Sequence, residues 1–277
     1  MDGRASGVRV ERDWRADGQH QGGPYDDGSG TVDWSSLWLL LAGVAAGIIG
    51  FGAGLASLVS YPALLAVGLA PVTANMSNTV ARTCAALGGL ATAGPELRPQ
   101  RRRVVRFALA GAVGGTVGAV LLLSAPPGAF EAVVPWLVAF ASLVLLARPW
   151  LRRLHWGRLA GQQRAMLVFV AVVAIYGGYF GAAAGVVLLA AFAAVFDEEY
   201  AVLNALKAMV LGAANVTASV VFVLFSTIDW SAALPLALGC LIGSAVSPPL
   251  VRRVPETPLR VAVGLAGLAL AVRLHLG

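Results

Sequence analysis

Glu199-Tyr-Ala-Val-Leu-Asn204-Ala-Leu-Lys207-Ala-Met-Val-Leu-Gly212-Ala-Ala-Asn215-Val-Thr217-Ala-Ser219, running on into Val-Val-Phe-Val-Leu-Phe225, holds the single lysine of a 277-residue chain. The other basic residues are 19 arginines (20 basic residues less the lysine), and nearly all fall in polar loops. A cation inside an apolar span costs ~2.5–3.5 kcal/mol on insertion scales and is read as functional by default. At roughly 100° per residue, Asn204, Lys207, Leu211, Asn215 and Ser219 share one helix face. That face joins a positive charge to amide and hydroxyl groups. Two readings stand: Lys207 serves a site on this face, or, eight residues past Glu199, it snorkels back to the membrane interface.

Composition sets the class around this helix. With 58% hydrophobic residues, 12% charged and a mean hydropathy of +0.78, the chain is not a soluble domain. Its apolar runs of about 20 residues read as membrane-spanning helices, and they lack the period-2 alternation of a membrane barrel. The net charge of +6 does not indicate nucleic-acid binding. The arginines flank hydrophobic spans, which is the topology signal of an inserted protein. Cys84 and Cys240 fall inside predicted spans, belong to no metal-ligand pattern, and read as small apolar residues. No cofactor or metal is expected, and His-Glu-x-x-His, Gly-x-Ser-x-Gly and P-loop patterns are absent.

Residues 1–33 carry seven acidic residues and four arginines and have no apolar core of a signal peptide. They read as a disordered polar tail. From Trp34 to Leu69 the chain is apolar for 36 residues, about 54 Å as one straight helix against a membrane core of ~30 Å. An interruption at Gly47-Ile-Ile-Gly50-Phe-Gly52-Ala-Gly54, with Pro62 beyond, divides it into two helical pieces. A span at about 71–93 carries Asn75, Asn78, Thr79 and Arg82 on one face. Further spans are expected at about 104–124, 130–147, 230–250 and 257–274. Residues 165–196 are again too long for one crossing and are interrupted at Gly177-Gly178-Tyr-Phe-Gly181-Ala-Ala-Ala-Gly185.

The two halves match. Gly47-x-x-Gly50-x-x-x-Gly54 aligns with Gly178-x-x-Gly181-x-x-x-Gly185 at a shift of 131. With two residues of slippage, Asn75 aligns with Asn204 and Asn78 with Lys207. The basic loops at 95–106, 148–164 and 251–260 are expected on the cytoplasmic side and the neutral turns at 124–131 and 226–230 outside. Each broken stretch must then return to its starting side, so both termini are external and the halves have opposite orientation. The predicted fold class is an all-α polytopic membrane protein of two inverted repeats, each a glycine-broken helical hairpin plus three transmembrane helices. The predicted boundaries are a tail at 1–33, repeat one at 34–147, a basic cytoplasmic linker at 148–164 and repeat two at 165–277.

These paired motifs carry a family resemblance. Gly47 to Gly54 with Pro62, then Ala74-Asn75-Met-Ser-Asn78-Thr79, resembles the first repeat of the sulfite exporter TauE/SafE family. Tyr176-Gly-Gly-Tyr-Phe-Gly181-Ala-Ala-Ala-Gly185, then Leu203-Asn-Ala-Leu-Lys207 and Ala214-Asn215, resembles its second repeat. The second glycine motif departs from the pattern, with alanines at 182–184. The resemblance covers about residues 34–275. It implies a bacterial inner-membrane permease for sulfite, sulfoacetate or related organosulfur anions.

A glycine break at mid-membrane frees N–H groups at a new helix start, where the helix dipole favours an anion. Gly50, Gly52, Gly54, Gly181 and Gly185 are the candidates for two such starts, and close helix packing is the other use of the same spacing. All 14 acidic residues lie in the tail, loops or span ends. Two intramembrane cations, Arg82 and Lys207, therefore point to an anionic substrate as counter-ion. The expected substrate-binding set is Lys207, Arg82, Asn75, Asn78, Thr79, Asn204, Asn215, Gly50, Gly52, Gly54, Gly181 and Gly185, with no catalytic residue. The expected partners are a small anion and the lipid bilayer, and the expected function is alternating-access anion transport. A channel-like anion pore and a membrane-embedded enzyme are the rival functions.

Overall fold

A 36-residue apolar stretch cannot cross a bilayer once as a straight helix, and here it folds back on itself. The computed structural model describes residues 34–97, 101–151, 163–251 and 256–276. The polar tail and the middle of the basic linker lie outside the described residues. In chain order the helices are α1 (Trp34–Ala53), α2 (Ala56–Ala66), α3 (Pro71–Leu97), α4 (Arg101–Ser124), α5 (Ala129–Leu146), the one-turn α6 (Arg148–Leu151), α7 (Gln163–Tyr179), α8 (Ala184–Val195), α9 (Tyr200–Phe225), α10 (Trp230–Val251) and α11 (Glu256–Leu276). Among the described residues there is no strand. Four helices have the length and apolar composition to cross a membrane, over residues 101–124, 129–146, 200–225 and 230–247. The chain is a multi-pass α-helical membrane protein.

Both over-long stretches are helical hairpins. Helix α1 gives way to α2 at Gly54-Leu55, where Gly54 takes φ +77°. Helix α7 gives way to α8 through residues 180–183, with Gly181 at φ +75° and Ala183 at φ +59°. The left-handed region costs a residue with a Cβ roughly 1–2 kcal/mol, so glycine belongs at the first two and alanine at 183 is strained. Tyr176 Oη donates to Ala182 O at 2.7 Å and pins this second tip.

Two of the expected half-helix starts are corrected: Gly50 and Gly52 stay within α1, whereas Gly185 is the second residue of α8 and lies at its start. At Gly50 the missing Cβ serves approach rather than a break. A Cβ at Gly50 would lie 2.5 Å from Ala56 Cβ, so the glycine lets the first turn of α2 fold back against α1. Gly47 serves α10 in the same way, since its Cβ would stand 2.5 Å from Cys240 O.

Glycine seams set the packing. Gly43 and Gly47 face residues 236–244 of α10 in rising order, so α1 and α10 run parallel. Gly114 and Gly118 face residues 171–179 of α7 in the same sense, and Gly111 and Gly115 face Val210 and Ala214 of α9. Lipid offers no hydrophobic drive between helices, so close backbone contact supplies the association. Hydroxyl bonds join two of these seams: Thr217 Oγ1 donates to Ala112 O at 2.8 Å and Ser247 Oγ to Ile48 O at 2.7 Å. Helix α3 packs on both α9 and α10, and α5 packs on α11. Helices α1, α3, α4 and α5 therefore find their main partners in the second half, while α2 packs chiefly on α1.

The faces left outside are apolar: Leu109, Val113, Leu121, Leu224 and Phe225 are exposed. Trp34, Trp38, Trp150 and Trp230 are also exposed and lie towards helix ends, where amphipathic rings suit a membrane interface; Trp136, also exposed, lies mid-way along α5.

Candidate functional site

The two hairpin tips meet. A Cβ on Gly54 would lie 2.7 Å from the carbonyl carbon of Gly185, and one on Gly185 would lie 2.8 Å from Gly54 Cα. Beside this contact the Arg82 guanidinium reaches from α3 and donates from Nη1 to Ser57 Oγ in the first turn of α2, at 2.8 Å. The same Nη1 stands 2.9 Å from where a Cβ on Gly181 would sit. Arg82 thus touches both hairpins, and among the described residues no carboxylate pairs with it.

Next to Arg82 lies a partly open cavity of about 60 Å³ lined by α1, α2, α3, α9 and α10. Arg82 and Lys207 both line it, with Asn215 and Ser244 as further polar groups and Gly47, Gly50, Ala46 and Ala208 among its walls. Lys207 is 2% exposed and Arg82 8%. Lys207 Nζ donates to Asn204 Oδ1 at 2.6 Å, one turn towards the start of α9. Ala56, the first residue of α2, also lines the cavity. In the first turn of α2, Leu58 N already donates to Leu55 O at 3.0 Å, and the helix dipole places partial positive charge at this end. Positive charge from three sources converges on one small, alanine-walled space that no acidic residue lines.

The remaining expected residues are distributed around this space. Asn204 holds Lys207 and is reached through it. Thr79 Oγ1 donates to its own helix at Asn75 O, 2.9 Å away. Asn75 Nδ2 donates to Tyr179 O at 2.8 Å, and Asn78 meets Ser60 Oγ at 2.5 Å, both away from the cavity. Gly54, Gly181 and Gly185 form the tip contact, and Gly52 lies in the last turn of α1. Of the twelve, only Arg82, Lys207, Asn215 and Gly50 line the cavity. Ser57, Ser60, Tyr61 and Ser244 were not foreseen. The first three recur at one-turn spacing on α2, the one signal in the sequence that could have found them.

Among the described residues no group of three or more His, Cys, Asp or Glu side chains could hold a metal ion. On the side of the bundle where α4 and α9 begin, Arg103 Nη1 donates to Glu198 Oε1 at 3.1 Å. Its guanidinium carbon stands 4.4 Å above the Phe196 ring. This clasp ties the start of α4 to the loop that leads into the lysine helix.

Broken helical hairpins with cations at their meeting point are an arrangement that membrane transporters use. The profile of the sulfite exporter TauE/SafE family matches residues 36–274, and the chain belongs to that family. It is 24% identical over 249 residues to the probable membrane transporter protein ORF9 of Sinorhizobium sp., covering 86% of this chain and 91% of that one. It is 25% identical over 248 residues to the probable membrane transporter protein YfcA of Escherichia coli K12, covering 85% and 88%. No solved structure matches the chain significantly.

Proposed function

We propose that the protein is a secondary transporter of small anions, sulfite or related organosulfur anions, working by alternating access between two inverted repeats in a bacterial inner membrane. The observation that carries this is the cavity shared by Arg82 and Lys207. Two buried cations repel each other and are stabilised when an anion enters between them. Lys207 and Arg82 neutralise the substrate, Asn215 and Ser244 add hydrogen bonds, Asn204 orients the lysine, and the α2 start contributes the positive end of its dipole. A cavity of about 60 Å³ has the room of about four waters, which suits a compact oxyanion. A longer sulfonate requires the space to widen.

The repeat arrangement is supported by the pattern of helix pairing. Helix α1 packs on α10 as α7 packs on α4, and α3 packs on α10 as α9 packs on α4. Gly54 and Gly185, equivalent in the aligned motifs, touch each other, as residues close to a two-fold axis must. The basic loops then face the cytoplasm and both termini face outward.

The test is counterflow of labelled sulfite in proteoliposomes of the purified protein. Accumulation driven by unlabelled sulfite inside, abolished by Lys207→Met and by Arg82→Gln in protein that still inserts, is the expected result. Non-saturable flux without counterflow would identify an anion pore instead.

A further inference from the structure

Beyond Ser57, helices α2 and α3 continue side by side as a polar ladder. Arg82 meets Ser57, and one turn further Asn78 meets Ser60 at 2.5 Å. Another turn on come Tyr61 and Asn75. Asn75 is bonded to Tyr179 O at 2.8 Å, and the Tyr61 ring stands edge-on to Phe180 with centroids 5.3 Å apart. Ser60, Tyr61, Phe180, Tyr179, Asn75 and Asn78 thus form a closed circuit joining α2, α3 and the tip of the α7–α8 hairpin.

On the residues of that circuit, three buried polar atoms are left over. Tyr61 is 1% exposed and Asn75 and Asn78 are 0% exposed, yet Tyr61 Oη, Asn75 Oδ1 and Asn78 Nδ2 have no hydrogen-bond partner among the described residues. Reorienting the amides does not remove the surplus. Asn75 must present its nitrogen to the Tyr179 carbonyl, which fixes Oδ1 as the spare atom. Ser60 Oγ has one proton and two acceptors in reach, Ala56 O at 2.9 Å and Asn78 Oδ1. Whichever it takes, one atom of the Asn78 amide stays unpartnered. Buried polar groups without partners destabilise a fold, and several together in a native protein call for an explanation. The two other such atoms among the described residues, Ser77 Oγ and Arg260 Nε, lie elsewhere: Ser77 is turned about 100° from Asn78 around α3, and Arg260 is on α11.

We propose that Tyr61 Oη, Asn75 Oδ1 and the Asn78 amide form a second, uncharged station for the transported anion, one to two helical turns beyond the Arg82–Lys207 cavity. The inference rests on the transporter reading and extends it. An anion held between two cations leaves slowly unless a neighbouring site offers hydrogen bonds without full charge, as in multi-site conduction pathways. The station provides a donor in Tyr61 Oη and an acceptor in Asn75 Oδ1. It therefore suits a small oxyanion that itself carries an O–H or N–H. Phe180 and Phe130, with ring centroids 6.1 Å apart, wall the station with apolar surface beside the Tyr61 ring.

Tyr61→Phe tests this, because it deletes only a hydroxyl that no group among the described residues holds. Labelled-sulfite counterflow should fall at least tenfold, while stabilisation of the protein by sulfite in a thermal-shift titration stays within twofold of wild type. Melting without ligand should be unchanged or raised. Counterflow equal to wild type would overturn the station, and so would a lowered melting point, which makes the hydroxyl structural. Loss of sulfite binding together with flux places the hydroxyl in the cavity and also overturns a separate station. A wild-type protein with no counterflow for sulfite or any sulfonate removes the transporter reading and the station with it. For the ligand class, hydroxymethanesulfonate should compete with labelled sulfite at least tenfold better than its isostere ethanesulfonate. Equal competition rules out the donor requirement.

Discussion

Gly54 and Gly185 stand so close that a single methyl on either would enter the other's backbone, at 2.7 and 2.8 Å. The two residues belong to different hairpins and occupy equivalent places in motifs 131 residues apart. Gly185→Ala should therefore destabilise the protein by about 1–3 kcal/mol through overpacking alone. Gly54→Ala carries the same clash plus the left-handed backbone cost of roughly 1–2 kcal/mol. Melting in detergent should rank them in that order. The double variant should cost less than the sum, because one methyl has already parted the tips. Strict additivity would mean the glycines do not touch.

The strained alanine at 183 gives a prediction of the opposite sign. Its φ of +59° is what glycine adopts freely. Ala183→Gly should raise stability by up to about 1 kcal/mol, the strain relieved less the greater flexibility of the unfolded chain. A lower melting point would show that the Ala183 methyl is held by its buried surroundings more firmly than its backbone is strained.

Lys207 and Arg82 should differ in how they tolerate exchange. Arg82→Lys keeps the charge but loses the planar fork that reaches Ser57 Oγ while lying beside Gly181. Transport should drop at least tenfold, with the protein still folded by size-exclusion chromatography. Asn204→Ala removes the oxygen that Lys207 donates to, and a hydrogen bond to a charged group contributes about 1.5–3 kcal/mol. That variant should lose both stability and sulfite-dependent stabilisation. An Asn204→Ala protein with wild-type flux would show that the lysine needs no orienting partner.

Membrane potential should drive the direction of transport. Moving one negative charge out of a negative-inside compartment gains ~2.3 kcal/mol per 100 mV. Efflux from vesicles should accelerate when valinomycin and a potassium gradient make the interior negative, and slow when the potential is collapsed. Indifference to potential would require electroneutral exchange.

The Arg103 clasp should matter little in itself. Both partners are about 30% exposed, and pairs of that kind contribute about 0–1 kcal/mol. Arg103→Ala should nevertheless cost more than Glu198→Ala, because it also removes the cation from the Phe196 face, about 0.5–1 kcal/mol at an exposed site. Melting curves of both variants at low and high salt check the order. The Glu198→Ala difference should vanish at high salt.

The helices were legible because hydrophobic length is a one-dimensional property. Spans expected at 104–124 and 130–147 stand as residues 101–124 and 129–146. The excess length of 34–69 was enough to require a fold-back. Which glycine turns the chain was not legible, because spacing is the same for a break and for a packing seam. Only φ at Gly54 and Gly181 separates these two from Gly47 and Gly50. The site was half legible for a related reason. Sequence gives the face on which Asn75, Asn78 and Arg82 sit, but not what that face meets. Arg82 met the cavity, while Asn75 met the backbone of Tyr179 on the other hairpin.

The pairing of α1 with α10 has a consequence in time. Gly43 lies beside Cys240, 197 residues later in the chain. At about 5–20 residues per second of synthesis, α1 waits about 10–40 s for the helix that covers its glycine seam. During that interval its small-residue face is open to lipid and to any other nascent helix. The membrane machinery must hold the first half unfinished until the second arrives. A chain stopped before α10 is expected to be degraded rather than to persist as half a transporter.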